Sequence, residues 1–325
     1  MKIAFYSTKQ YDQEYFDLAN ETCNHSIRYF SAQFNEHSVS LIIDEKVVCV
    51  FVSDKHDSTM LGLLKQKCIE LVVLRCVGYN NVDMKCAKRL NLPIFRVPMY
   101  SPFSVAEHAV GLLLCLNRGI HKAYNRVREG DFLLRNLIGF DLNNKTFGVI
   151  GTGRIGEVFA QIMLGFGCRV IAYDPIHKLS SIRSKIEYFH FGELLTQVDR
   201  LSLHCPLTPN TLYVINEEAL EKTRPSVTLI NTSRGKLIDS RALKTEKLGR
   251  VGQDVYEIEQ DMLFKDLSDK GIPDEIFARI TTFPNVIITS NQGFFTQEAM
   301  SNIAKTTLSN INHFELNGEL QNIPL

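Results

Sequence analysis

Residues Phe147-Gly148-Val149-Ile150-Gly151-Thr152-Gly153-Arg154-Ile155-Gly156 decide how this 325-residue chain is read. An apolar strand, Phe147–Ile150, runs straight into a G-x-G-x-x-G turn. In such a turn the first glycine permits the tight bend. The second lets a pyrophosphate approach the backbone, and the third lets helix and strand pack closely. Taken alone the pattern fits many glycine-rich turns, but here both flanks agree with it. A helical stretch follows with Val158, Phe159, Ile162 and Met163 at its apolar positions, then a strand, Arg169-Val170-Ile171-Ala172-Tyr173, that ends in Asp174. The helix start aims free N–H groups and a positive dipole end at phosphate. A carboxylate at Asp174 accepts ribose hydroxyls and repels a 2′-phosphate, so the unit from Lys145 to Asp174 is expected to bind NAD rather than NADP.

Outward from this unit, short apolar strands alternate with helical patterns. Lys2–Tyr6, Val47–Val52, Leu71–Leu74 and Ile94–Val97 read as strands of a first parallel sheet, with helical stretches such as Ser58–Lys67 between them. A second strand–helix series begins at Thr146 and runs to about Ser290. Alternation of this kind predicts α/β architecture with crossover helices. Ser104-Val105-Ala106-Glu107 has the form of a capping box and predicts one long helix from Ser104 to about Arg128. Apolar residues at 299, 300, 303, 304, 308, 311 and 314 predict an amphipathic helix over Thr296–Asn317, although its own residues do not say what it packs against.

Composition narrows the function classes. Acidic and basic residues cancel at 36 each, which argues against a nucleic-acid footprint. The longest clean apolar run, Ala109–Leu116, is too short to span a bilayer, and the polar Ser7-Thr8-Lys9 at the start does not suit a signal peptide. Eight cysteines are scattered with no C-x-x-C pair, so neither a disulfide framework nor a metal site is expected; small thiols in a reducing cytoplasm fit better.

Three further segments resemble the D-2-hydroxyacid dehydrogenase family, most closely its fermentative D-lactate dehydrogenase branch. They are Arg75-Cys76-Val77-Gly78-Tyr79-Asn80-Asn81-Val82-Asp83, His204-Cys205-Pro206-Leu207-Thr208-Pro209-Asn210-Thr211, and Asn231-Thr232-Ser233-Arg234-Gly235 followed by Asp254-Val255-Tyr256-Glu257-Ile258-Glu259. Tyr6-Ser7-Thr8-Lys9-Gln10-Tyr11-Asp12 resembles the same branch. The likeness runs along essentially the whole chain. It implies two Rossmann-like/flavodoxin-like domains with parallel sheets. The NAD-binding domain, residues 100–296, is inserted into a discontinuous substrate domain of residues 1–99 plus 297–325, and the active site falls in the cleft. It also implies a homodimer, with the helix after Ser104 at the interface, and a small 2-keto or 2-hydroxy acid as substrate.

The same resemblance assigns residues. Gly151, Gly153, Arg154, Ile155, Gly156, Asp174, Cys205, Pro206, Thr211, Thr232, Ser233 and Asp254 are placed along the cofactor. Reducing a keto acid needs a hydride at the carbonyl carbon and a proton at its oxygen. A planar, permanently charged guanidinium suits the carboxylate and the carbonyl, and by family position it is Arg234. The N–H groups of Val77 and Gly78 hold the carboxylate, and Tyr100 closes the pocket unless it merely packs beside its prolines. Family members use a Glu–His pair for the proton. The glutamate by position is Glu259, with Glu257 as a rival.

The histidine is missing. After Asn285-Val286-Ile287-Ile288-Thr289 the chain reads Ser290-Asn291-Gln292-Gly293, with Asn291 at the histidine position. Asparagine hydrogen-bonds a carbonyl but exchanges no proton near neutral pH. Two more departures lie nearby in sequence. The stretch from Arg234 to Asp254 is short by about one turn of 3.6 residues, which stunts the helix expected at Ser240–Leu248. Gln253 takes a strand position that is usually apolar. Four explanations compete: a slowed dehydrogenase with water as proton source, an altered variant of an active parent, a relic that keeps NAD binding, and an NADH-sensing binding protein.

Overall fold

Val47-Val48-Cys49-Val50 and Leu71-Val72-Val73-Leu74 are unbroken apolar runs, and each is buried along its whole length. Strands covered on both faces require such runs, as in parallel sheets flanked by helices. The computed structural model describes residues 1–79, 81–176, 182–244, 248–258, 262 and 264–318. Two compact units divide the chain, Met1–Ser101 with Phe295–Leu325, and Pro102–Phe294.

The first unit holds strands β1 (Lys2–Phe5), β2 (Ser26–Tyr29), β3 (Val47–Val50), β4 (Leu71–Leu74) and β5 (Ile94–Arg96), joined through helices α1 (Gln10–Asn20), α2 (Ser58–Gln66) and α3 (Met84–Arg89). All pairings are parallel, in the order β2-β1-β3-β4-β5, the flavodoxin-like arrangement. Asp57 and Asp83 cap α2 and α3 by accepting from the N–H groups of Met60 and Cys86.

In the second unit come α4 (Pro102–Arg118), α5 (Ile120–Arg128), β6 (Thr146–Ile150), α6 (Arg154–Gly165), β7 (Arg169–Tyr173), β8 (Glu187–Tyr188), α7 (Phe191–Gln197), β9 (Arg200–Leu203), α8 (Glu217–Glu221), β10 (Val227–Asn231), β11 (Leu248–Gln253), α9 (Glu275–Thr281) and β12 (Val286–Ile288). Read from one edge, the sheet runs β8-β7-β6-β9-β10-β11-β12, all parallel. Strand order reverses between β6 and β9, the switch point where open α/β sheets take ligands.

The chain then returns to the first unit as α10 (Gln297–Asn317), capped by Thr296 and closed by Gly318 at φ +67°. Met300, Ile303, Leu308 and Ile311 are buried along it, and the helix packs on α1. Each such side chain contributes about 1.5–3 kcal/mol when fully buried.

The single helix expected over 104–128 is two. Pro102 opens α4, so Ser104 lies buried in the first turn instead of capping it. Gly119 then breaks the helix at φ +57°, where a Cβ would stand 3.1 Å from the Leu137 side chain. The stunted helix is a 3₁₀ segment, Ser240–Lys244. No helix among the described residues is long and apolar enough to cross a membrane, and no group of three or more potential metal ligands occurs among them.

Candidate active site

Gly151 leaves β6 at φ +90°, and a Cβ there would lie 2.7–2.8 Å from the backbone of His204 and Cys205. On Gly156 a Cβ would meet the Gly151 carbonyl oxygen at 2.0 Å, so α6 packs onto the turn only with glycine. Over Gly153 the space is open, with nothing within 4 Å of an added Cβ. That open face sits at the start of the 12-residue α6, where its unbonded N–H groups favour an anion. Arg154 opens the helix exposed to solvent, and Ile155 is half-buried. Asp174 follows β7, and its Oδ2 accepts from the Thr152 N–H at 2.7 Å and the Thr152 hydroxyl at 3.1 Å. Ile176 N–H donates to its Oδ1 at 2.9 Å, which fixes the carboxylate at the strand end.

The ends of β9 and β10 are tied together, because Ser233 Oγ donates to the Cys205 carbonyl at 2.7 Å. Thr211 Oγ1 donates to the Pro206 carbonyl at 2.7 Å and accepts the Thr208 N–H at 2.8 Å, closing that turn. His204 is half-buried with Nε2 2.9 Å from Ser202 Oγ, and desolvation pushes its pKa down to about 3. A neutral, packed ring of that kind supplies no acid at neutral pH. Thr232 is buried, and its hydroxyl has no partner among the described residues. An unsatisfied hydroxyl at this edge and an open Gly153 both fit a dinucleotide lying across the strand ends.

Asn231 shapes the next turn, donating from Nδ2 to the Arg234 carbonyl at 2.9 Å and accepting the Ser233 N–H at 3.0 Å. Arg234 is half-buried, and its Nη1 donates to the Ser233 carbonyl at 2.7 Å. A Cβ on Gly235 would sit 2.0 Å from the Tyr256 carbonyl, so glycine lets the 254–257 segment approach the arginine turn. Glu257 is occupied there: Tyr213 donates its hydroxyl to Oε1, and the Ser240 N–H reaches Oε2 at 3.4 Å. Glu259 lies outside the described residues.

Asp254, one residue past β11, is a buried hub. Its carboxylate accepts from the Thr289 hydroxyl at 2.5 Å and from the N–H groups of Gln292 and Gly293 at 2.9 and 2.8 Å. His108 Nε2 of α4 lies 3.3 Å from Asp254 Oδ1 and 3.0 Å from Thr289 Oγ1. The Asn291 N–H donates to the Asp254 carbonyl at 2.7 Å, and Asn291 adopts φ +55°, a left-handed geometry that asparagine and histidine both tolerate. Next to this hub, Met262, Phe277 and Ile288 help line a cavity of about 140 Å³, and Gln253 Oε1 is buried without a partner among the described residues.

In the first unit, Arg75 is fully buried. Its guanidinium lies between the rings of Phe5 and Phe51, 4.5 and 4.6 Å from their centroids, and 3.4 Å from Asp12 Oδ1. The following loop turns its carbonyls inward: Arg96 Nη1 donates to Val77 O at 2.9 Å, and the Cys76 thiol contacts Gly78 O at 3.2 Å. The N–H groups of Val77 and Gly78 have no backbone acceptor among the described residues. Tyr100 lies at the end of the first segment, where its carbonyl accepts from Asn302 Nδ2 at 2.8 Å.

Residues 110–293 match the model of the D-isomer specific 2-hydroxyacid dehydrogenase family, NAD binding domain. The chain belongs to that family. A 2-hydroxyacid dehydrogenase homolog of Haemophilus influenzae is 44% identical over 100% of this chain and 99% of its own length. The D-lactate dehydrogenase of Escherichia coli is 43% identical over 97% of each chain. Among solved structures, the pyruvate reductase of Chlamydomonas reinhardtii superposes with a TM-score of 0.93 at 36% identity, covering 99% of this chain and 98% of its own.

This dehydrogenase is thus an NAD-dependent oxidoreductase built on two parallel-sheet units. Gly151, Asp174, Cys205, Thr232, Arg234, Asp254 and Asn291 all stand just past the carboxyl ends of strands in one sheet. Sequence reasoning missed the roles of Thr289 and His108 around Asp254. Their separation in the chain hides that contact, and the only signal for Thr289 was its place at the end of a strand, two residues before Asn291.

Proposed function

We propose that this dehydrogenase interconverts a pyruvate-sized 2-keto acid and its D-2-hydroxy acid, with D-lactate as the reduced partner, and that Asn291 makes turnover slow. One observation carries this reading: the glycine turn, Arg234 and Asn291 share the carboxyl edge of one sheet. The four strand steps from β6 to β12 span about 19 Å, a length suited to an extended dinucleotide.

NAD, when bound, gives or takes the hydride. Arg234 grips the carboxylate and polarises the carbonyl, while the N–H groups of Val77 and Gly78 hold the carboxylate and Tyr100 covers it. Arg75 acts as a positioning residue behind that loop. Glu259 is the better candidate for the acidic partner, because Glu257 is already held by Tyr213 and Ser240. Asp254 is a positioning residue more than a cofactor contact, since its carboxylate is spent on the 289–293 turn. The Asn291 amide donates a hydrogen bond to the substrate oxygen, and water delivers the proton.

In this reading residues 1–99 with 297–325 serve the substrate and 100–296 the cofactor. A homodimer is supported by exposed apolar side chains on α5 and beyond it, including Ile120, Tyr124, Phe132, Leu134 and Ile138, more than by α4, whose apolar residues are largely buried. The eight free cysteines suit a reducing compartment such as the cytoplasm.

The test is NADH oxidation with pyruvate by this protein and its Asn291→His variant, after NADH binding is confirmed in both. Turnover is expected to rise about 10²–10⁴-fold in the variant. Equal, brisk turnover by both would overturn the assignment of position 291. Binding without turnover in both would replace the enzyme reading by an NADH-binding one.

A further inference from the structure

Two arginines stand at the carboxyl end of the first sheet, and their charges meet different surroundings. Arg75, just past β4, is fully buried between the rings of Phe5 and Phe51, with Asp12 Oδ1 3.4 Å from its Nε. Arg96 ends β5 opposite Leu74 of β4 and is half-buried. Its Nη1 donates to the Val77 carbonyl at 2.9 Å, and its guanidinium lies 5.0 Å from the centroid of the Tyr79 ring. A neutral carbonyl and a ring face orient this charge without cancelling it. Arg96 forms no ion pair among the described residues.

We propose that Arg96 is a positioning residue for the substrate carboxylate, a role that rests on the reading that the Val77 and Gly78 N–H groups hold that carboxylate. The Val77 carbonyl and the Gly78 N–H belong to one planar peptide unit. With no cis bond among the described residues, the two groups point to opposite sides of it. Holding the oxygen therefore fixes the plane and aims the N–H away from the arginine. Positive charge at the oxygen also draws electron density along the unit, which makes the N–H a stronger donor. The Cys76 thiol restrains the next carbonyl, Gly78 O, at 3.2 Å. Neither N–H has a backbone acceptor among the described residues, and a carboxylate supplies one. An anion held there meets two N–H dipoles with an uncancelled positive charge behind them.

The test is oxamate binding to the NADH-saturated full chain, followed by calorimetry and by the Gly78 amide resonance in protein carrying isotope-labelled glycine. Oxamate has the carboxylate of pyruvate beside an amide and is not reduced. Arg96→Met is expected to weaken it about tenfold, Arg96→Gln about threefold to fivefold, and Arg96→Lys less than about threefold. Lysine keeps the charge, glutamine only a donor and methionine neither. In Arg96→Met without oxamate the Gly78 amide proton should move upfield, as a less polarised N–H does, while NADH affinity stays unchanged. Equal losses in Arg96→Lys and Arg96→Met, or a matching loss of NADH affinity, would make the arginine merely structural and overturn the proposal. Unchanged oxamate affinity in Arg96→Met, with the Gly78 resonance still shifting on binding, overturns the Arg96 assignment alone. Oxamate binding that leaves the parent's Gly78 resonance in place removes the loop reading and the Arg96 role with it. A parent that binds no oxamate overturns the keto-acid reading itself.

Discussion

At the β6–β7 end of the second sheet, Thr152, Asp174 and Tyr188 form a closed hydrogen-bonded set behind a turn whose glycines are required by contact. At the β11–β12 end, Asp254 binds its turn just as firmly, yet Gln253 Oε1 is buried unsatisfied and a cavity of about 140 Å³ lies alongside. The two ends belong to one sheet and one edge. Dinucleotide binding depends on backbone shape, which is intact. In the function proposed above, proton transfer depends on a titrating side chain at 291, where asparagine stands. On that proposal, a change at one end acts on binding and a change at the other on chemistry.

The sharpest probe is Asn291→His. Beyond the gain of about 10²–10⁴-fold, pyruvate reduction in the variant should fall as pH rises through the imidazole pKa, while the parent stays flat between about pH 6 and 8. A flat variant profile would mean that the new ring is not the proton donor. Asp254→Ala should cost roughly 3–4 kcal/mol in a denaturant melt, because the Gln292 and Gly293 N–H groups lose their acceptor. NADH affinity should survive in the folded variant; its loss would show that Asp254 serves the cofactor directly.

Gly156→Ala attacks the other end. The new methyl group must displace α6 from the Gly151 carbonyl, at about 1–3 kcal/mol, and NADH titration should show affinity reduced about tenfold. Unchanged binding would refute the contact argument. Gln253→Leu should stabilise the chain by about 1–2 kcal/mol by removing a buried orphan acceptor, and a lower melting temperature would show that the amide has a partner.

Mild acid gives the smallest effect. Burial holds His204 at about 3, below its ordinary 6.5, so the folded chain takes up this proton later than the unfolded one. Its contribution is complete above about pH 6.5 and is lost as pH falls toward 3. Between pH 7 and 6 the loss is about 0.7 kcal/mol, and a His204→Gln variant should lack it.

Strong periodicity made much of the fold legible. Leu71–Leu74 is a strand with the bounds its apolar run suggests, and α10 follows its stripe. β2 was not legible, because Ser26–Tyr29 is an edge strand whose residues alternate between exposed and half-buried. The break at Gly119 was overlooked because the apolar pattern continues through it, even though glycine is the residue a left-handed turn calls for.

The sequence by itself determined the dinucleotide unit, since strand, glycines, helix and carboxylate are local and their spacing is their geometry. It also determined that position 291 carries no acid, because that follows from residue type alone. Only the tertiary structure decided which carboxylates are free to act. It set Glu257 against Tyr213, and it bound Asp254 to Thr289, Gln292 and Gly293. It also left the Thr232 hydroxyl without a partner among the described residues. Hydrogen bonding and burial are set between segments far apart in the chain, so no local pattern records them.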